Sequence, residues 1–178
     1  MPRLVFINGA PGSGKSTMAQ ALAQDREMTL ALDVDTIKHS LGRWDDDPVA
    51  SGVRARQLYL ALAEEHLRAG FDVVLGQYLA QTPFIEDLEA LADRLEVAFV
   101  ELVLDIDVPT LAGRLAMRAS DPDRPEHVVN NRLVGPDDAS RLVESMEALR
   151  LNRPRASWVD ARGSHSSTAD LLRAVLTA

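Results

Sequence analysis

The chain has no cysteine among its 178 residues. That excludes disulfides and thiolate-bound metal alike. Aromatic residues make up only 4% of it, so any large core has to be aliphatic. No apolar run approaches the ~20 residues that a membrane-spanning helix requires, and no membrane partner is expected. Positive charge is not in excess either. The formal net charge is −8, whereas general nucleic-acid binding calls for a basic surface. Nucleic acid is therefore not an expected partner, and a small ligand in a locally positive pocket is. Met1-Pro2-Arg3 leads straight into an apolar run, which leaves no room for a signal peptide and makes a cytoplasmic location the expectation. The length suits one domain over 1–178 with a core of its own, as a monomer or homodimer.

What is present is concentrated near the start. Leu4 to Thr17 reads Leu-Val-Phe-Ile-Asn-Gly-Ala-Pro-Gly-Ser-Gly-Lys-Ser-Thr. Gly9, Ala10, Pro11, Gly12, Ser13, Gly14, Lys15 and Ser16 complete the phosphate-binding pattern G-x-x-x-x-G-K-[ST]. The apolar stretch before it reads as a buried strand, and Met18 to Ala23 reads as a helix. Strand, glycine loop and helix together are the context that gives the motif meaning. Glycines let consecutive N–H groups turn inward as an anion nest, and the helix N-terminus adds partial positive charge. Lys15 is expected at the β- and γ-phosphates, Ser16 on Mg²⁺ and Thr17 at the α-phosphate. The ligand class is a nucleoside triphosphate, ATP, with a divalent metal.

The rest alternates strand and helix. Strands are expected at 29–33, 71–75, 97–104 and 156–160. Helices are expected at 35–41, 53–69, 82–95 with Thr82 as N-cap, 108–118, 137–152 and 168–177. Arg43 to Gly52 reads as a polar loop. Five strands with intervening helices imply an α/β fold, a parallel sheet covered on both faces. Ligands in such sheets lie beyond the carboxyl ends of the strands. Asn8, Asp33 to Asp35, Gly76 to Tyr78 and Asp105 stand at those ends.

In element order the chain resembles the small P-loop kinases of the nucleoside-monophosphate-kinase-like group, among them gluconate kinase, shikimate kinase and chloramphenicol phosphotransferase. Three stretches carry the resemblance: the loop at 9–16, the acidic run Leu32-Asp33-Val34-Asp35-Thr36-Ile37, and Arg114, Arg118 and Arg124. It implies a three-layer P-loop NTPase fold with strand order 2-3-1-4-5, ATP as donor, an acceptor region near 36–58 and a lid near 119–136. It also implies Asp35 as the base, since Val34-Asp35-Thr36 is similar to the Val-Asp-Ser run of chloramphenicol phosphotransferase. The bland alternative is that Asp35 caps the following helix.

Residues two apart on a strand point the same way, so Asp33 and Asp35 would both face the site if the second strand extends to them. Asp33 is a candidate for holding Mg²⁺ through water. Many P-loop enzymes carry an aspartate at the end of the third strand, but here that strand ends in Gly76-Gln77-Tyr78, and Asp72 lies at its other end. Arg114 and Arg118, one helical turn apart, and Arg124 are candidates for nucleotide contact, with Arg118 also catalytic. The alternative is a solvated basic face. Arg132 is a further candidate on the lid's far side, and Gly163-Ser164 for the adenine pocket. On the acceptor side stand His39, Arg43, Trp44, Arg54 and Tyr78. Trp44 either stacks on the acceptor or pins its loop.

These residues lead to an enzyme that moves the γ-phosphate of ATP to a hydroxyl of a small metabolite or antibiotic. Two alternatives stay open: an ATP-binding resistance or sensor protein without transfer, and a nucleotide or polynucleotide kinase.

Overall fold

The computed structural model describes residues 1–120 and 134–177. Strand β1 (Arg3–Asn8) lies at the centre of a five-stranded sheet. Its run Leu4 to Ile7 is fully buried, because both faces are covered. Leu4 and Phe6 enter one apolar cluster, while Val5 and Ile7 enter the other. That split is the two-residue period of a strand. Full burial of one such side chain contributes about 1.5–3 kcal/mol, and β1 anchors both layers, as the alternating residues of 73–75 and 102–104 also do.

Around β1 stand β2 (Leu30–Ala31), β3 (Val73–Gly76), β4 (Ala98–Asp105) and β5 (Ser157–Asp160). The order is β2-β3-β1-β4-β5, and every pairing is parallel. Helices α1 (Lys15–Ala23) and α7 (His165–Thr177) cover one face through Met18, Leu22, Ala169 and Leu172. Helices α3 (Pro48–Arg68), α4 (Pro83–Arg94), α5 (Val108–Ser120) and α6 (Ala139–Asn152) cover the other. A short helix α2 (Val34–His39) bridges β2 to α3. This is the expected three-layer α/β P-loop fold with order 2-3-1-4-5.

Several expected boundaries move, each for a local reason. The polar loop ends earlier than expected, because Asp47 accepts from Val49 N and Ala50 N at 3.1 and 3.0 Å and Pro48 opens α3. Val49 to Gly52 are therefore helical. The second strand is only two residues long, so Asp33 and Asp35 are not strand neighbours. Asp33 instead caps α2 by accepting from Asp35 N at 2.8 Å. The capping role that the alternative gave to Asp35 thus belongs to Asp33. Thr82 precedes α4 but its side chain makes no capping bond, and Pro83 opens the helix. The closing helix begins at His165 rather than Thr168. Most of the stretch expected as a lid, 119–136, lies outside the described residues, and Arg124 and Arg132 with it. Among the described residues no helix is long and apolar enough to cross a membrane.

Candidate active site

The phosphate loop leaves β1 at Asn8, whose amide is wholly engaged in shaping it. Asn8 Oδ1 accepts from Gly9 N at 2.8 Å and Leu79 N at 3.0 Å, while Nδ2 donates to the Leu79 carbonyl at 2.9 Å. The side chain thus ties the end of β1 to the chain leaving β3. Gly9, Gly12 and Gly14 take φ of 154°, 89° and 101°. Gly12 has a second reason to be glycine. A Cβ there would stand 2.9 Å from Leu115 of α5. Leu115 and Leu111 of α5 pack against the loop there, and a side chain at 12 would have to displace them.

Gly14 is the N-cap of α1, and no side chain caps that helix. Its first N–H groups therefore present a positive end to whatever sits in the loop. Ser13 Oγ is buried with no hydrogen-bond partner among the described residues. Lys15 Nζ donates to the Ala10 carbonyl at 3.0 Å, folded across its own loop. Burial pulls its pKa down to about 8, opposed by Asp33 and Asp35 and reinforced by Arg118. A lysine so desolvated is a strong seat for an anion that restores its charge.

The carboxylates stand on the β2–β3 side of the loop. Ser16 Oγ donates to Asp33 Oδ2 at 3.4 Å. Burial and the neighbouring charge of Asp35 push the Asp33 carboxyl upward, against the α2 backbone bond, Lys15 and Ser16. Asp35, in the first turn of α2, is half-buried beside it. The structure therefore brings Lys15, Ser16, Asp33 and Asp35 into one electrostatic group. The charge of Arg118 on α5 also acts on Lys15. Hydroxyl and carboxylate oxygens suit a hard cation such as Mg²⁺, which keeps several waters and substrate phosphates in its shell. Among the described residues no three His, Asp or Glu side chains stand together as a metal site. The donor set thus fits Mg²⁺ only in company with phosphate oxygens.

The missing third-strand aspartate now has a physical reason. Gly76 pairs with Ile7, and a Cβ there would lie 2.9 Å from the Lys15 carbonyl oxygen. The end of β3 and the start of α1 touch backbone to backbone. Asp72, at the far end of β3, is buried under Arg3 and Arg26. The close approach at Gly76 was not in the sequence reading, although a glycine ending a buried strand is the signal for it.

Other expected residues sit apart from this group. Trp44 packs on the end of α2, with its ring centroid 4.5 Å from that of His39 and Lys38 Nζ 5.3 Å above it. That contact pins the loop. Arg43 pairs with Asp46, and Arg54 donates to Gln57. The Tyr78 hydroxyl shares a 2.9 Å bond with Ser145 of α6. Asp105 pairs with Arg150 at 3.6 Å. Gln77 Oε1 is buried without a partner among the described residues. Arg114 reaches the loop, but through main-chain carbonyls: Nη1 donates to Ser13 O at 3.0 Å, and Nη2 to Ala161 O and Gly163 O at 2.7 and 2.8 Å. His165, absent from the sequence reading, lies beside the loop, with Nε2 3.3 Å from where a Gly14 Cβ would be.

Residues 4–135 match the family model described as an AAA domain. An adenylate kinase of Helicobacter hepaticus is 31% identical over 153 residues, covering 75% of this chain and 77% of that protein. The chain belongs to the small P-loop kinases of the nucleoside-monophosphate-kinase-like group. Solved structures show the same fold in this small P-loop kinase. A gluconokinase from Sinorhizobium meliloti aligns with a TM-score of 0.66 at 19% identity, covering 99% of this chain and 92% of its own. A tunicamycin resistance protein from Deinococcus radiodurans aligns with a TM-score of 0.66 at 14% identity, over 99% and 96%. Kinase homology, a nucleotide-binding loop and a compact acidic site therefore coincide in one chain.

Proposed function

We propose that this small P-loop kinase is an ATP- and Mg²⁺-dependent phosphotransferase acting on a hydroxyl of a small molecule. One observation carries the reading. The Ser16–Asp33 contact and Asp35 stand on one side of the loop, within electrostatic range of Lys15. Phosphoryl transfer needs positioning, charge neutralisation and a group that orients the acceptor hydroxyl. Those three requirements map onto the loop, Lys15 with Arg118, and Asp35.

Bound Mg·ATP would supply the transferable phosphoryl group and the cation that screens it. Gly9 to Thr17 would hold its phosphates, with Lys15 on the β- and γ-oxygens. Ser16 and Asp33 would hold the metal, Ser16 directly and Asp33 through water. Asp35 would accept the proton of the acceptor hydroxyl, leaving its oxygen free to attack in line. Arg118 would neutralise charge on the transferring group, and Arg124 would join it from the lid.

The test uses ATP labelled at the γ-phosphate with a pooled acceptor set of sugar acids, nucleoside antibiotics and nucleoside monophosphates. Label should pass to one hydroxyl acceptor. Asp35→Asn should bind ATP within about twofold of the parent while turnover falls at least about 100-fold. Unchanged turnover in that variant removes Asp35 as the base. A second reading is favoured by the adenylate kinase relative: transfer to a nucleoside monophosphate. Label appearing in a diphosphate product selects it. Slow ATP hydrolysis that no acceptor stimulates rejects both.

A further inference from the structure

Helix α3 buries one residue in four along a single stripe: Ala55, Tyr59, Ala63 and Leu67. Packing alone would be served by a phenylalanine at 59, yet the chain carries a hydroxyl there. Tyr59 is 1% exposed, and its Oη has no hydrogen-bond partner among the described residues. The ring stands edge-on to Phe84 of α4, with centroids 6.3 Å apart. Burial, and then the charge of Asp33, push the phenol up from its ordinary value, so it keeps its proton. A second orphan is Gln77 Oε1, buried just past the end of β3. A buried polar oxygen without a bond costs stability, so two of them at one end of a sheet call for a ligand that bonds to both.

Both lie beside the carboxylates. Gly76 turns its bare side to α1, where a Cβ would stand 3.3 Å from Ser16 N. Gln77 N still donates to Ile7 O at 3.1 Å, so the two-residue period runs one position past β3. Gln77 therefore falls on the other face, with Val73 and Leu75, and these share an apolar cluster with Tyr59, Phe84 and Val34. Ser16 fixes the level, because its Oγ bonds Asp33 while its N lies against Gly76. Asp33 in turn acts on both Lys15 and Tyr59. Phenol, amide and two carboxylates thus gather at the carboxyl ends of β2 and β3.

The cations of the neighbouring α2–α3 region have other partners. Lys38 lies over Trp44, Arg43 pairs with Asp46, Arg54 donates to Gln57, and Arg56 lies over Phe84. A ligand with its own phosphate or carboxylate would set that charge against Asp33 and Asp35. It would also offer Gln77 Oε1 only lone pairs. A ligand rich in hydroxyls donates to the amide oxygen and pairs with the phenol in either sense.

We propose that Tyr59 and Gln77 select the acceptor, and that it is an uncharged polyhydroxy compound whose flanking hydroxyls bond to them while another hydroxyl reacts. The proposal rests on the reading of the site as a phosphotransferase, and it chooses among acceptors against the nucleoside monophosphate. The reacting oxygen bonds to the γ-phosphorus and its proton passes to Asp35. The bond from that phosphorus to the β–γ bridging oxygen breaks, releasing ADP. Tyr59 and Gln77 take no part in that exchange.

The experiment supplies γ-labelled ATP with a library of sugars, polyols and nucleosides, each beside its own phosphate monoester. Label should pass to an uncharged member at least about tenfold more efficiently, in kcat/KM, than to its monoester. With that acceptor, Tyr59→Phe and Gln77→Met should each lose about five- to tenfold, the worth of one neutral hydrogen bond, and mostly in KM rather than kcat. Calorimetry should find Mg·ATP binding within about twofold of the parent, and ligand-free Tyr59→Phe should melt at or above the parent temperature. Preference for a monoester overturns the acceptor class. An acceptor KM that neither variant moves overturns the two roles, as does a Tyr59→Phe that melts below the parent, since its hydroxyl would then serve the fold. Transfer to no member by the parent, with ATP hydrolysis unstimulated, overturns the phosphotransferase reading and this proposal with it, before any variant is compared.

Discussion

At the residue scale the least yielding constraint falls on Gly76, where the close neighbour is backbone. A methyl group there would stand 2.9 Å from the Lys15 carbonyl oxygen and 3.0 Å from its carbon. The obstruction is backbone, which cannot rotate away as a side-chain tip would. Gly76→Ala therefore has to part β3 from α1 and tilt the first turn of the helix that receives the phosphates. Overpacking of this kind costs about 1–3 kcal/mol. The expected outcome is a lower unfolding midpoint and at least about tenfold weaker binding of Mg·ATP, read by urea titration and calorimetry. A variant with parental affinity would mean that the loop tolerates the shift, and that the backbone contact does not shape the site. An aspartate at 76 meets the same wall, so a carboxylate for the proposed Mg²⁺ would have to come from elsewhere, and Asp33 stands nearby on Ser16.

At the scale of elements, one ion cluster joins β4, α4 and the end of α6. Arg153 donates to Glu101 at 2.8 Å and to Glu89 at 3.0 Å. Glu101 is 7% exposed, and burial pushes its carboxyl above the ordinary value of 4.5 despite Arg153. Arg153→Met would leave Glu101 buried without its cation, while part-exposed Glu89 keeps Arg155 at 2.6 Å. Removing one partner of such a group costs about 3–5 kcal/mol, which urea unfolding would register. Glu101→Gln should cost far less, because the amide needs no counter-charge. The pH signature follows from the sign. A carboxyl raised in the folded state binds its proton more tightly there than in the unfolded chain. Stability therefore falls as pH rises from 4.5 through the raised value, and Glu101→Gln should flatten that slope. An unchanged slope would relocate the burden to another group.

The same scale shows how much the sequence makes legible. The parallel α/β fold follows from apolar runs and from a loop motif with strong context, because β1 and the helices that cover it are built from local patterns, whereas the strand order comes from the family resemblance. Asp33 and Asp35 were legible as a pair but not in geometry. A two-residue strand and a cap at Asp33 depend on how α2 docks, which no periodicity encodes. The start of α3 was missed because a run of aspartates reads as loop, while Asp47-Pro48 is in fact a helix start. Arg114 was legible as a cation near phosphates. Its three carbonyl partners come from residues 13, 161 and 163, and contacts so distant in sequence leave no local trace.

At the scale of the whole molecule, the phosphate loop sits at the end of the central strand, which like β3 and β4 feeds both apolar clusters. A ligand there ties together β1, α1, α5 and the β5–α7 connection. Binding should therefore shift unfolding as one event, and scanning calorimetry should show a single transition displaced as a unit. At 100 times its dissociation constant a ligand stabilises by about 2.7 kcal/mol. For a chain of this size, 1 kcal/mol raises the midpoint by about 2–4 °C, so Mg·ATP should raise it by about 5–10 °C. The chain is acidic overall, and two of its carboxylates face the loop. ATP stripped of metal brings further negative charge against Asp33 and Asp35, which Lys15 and Arg118 only partly offset. With a chelator present, the rise at the same ATP concentration should shrink to less than half. An equal rise with and without metal would mean that the carboxylates do not sense the phosphates, and would take Asp33 out of the metal's shell.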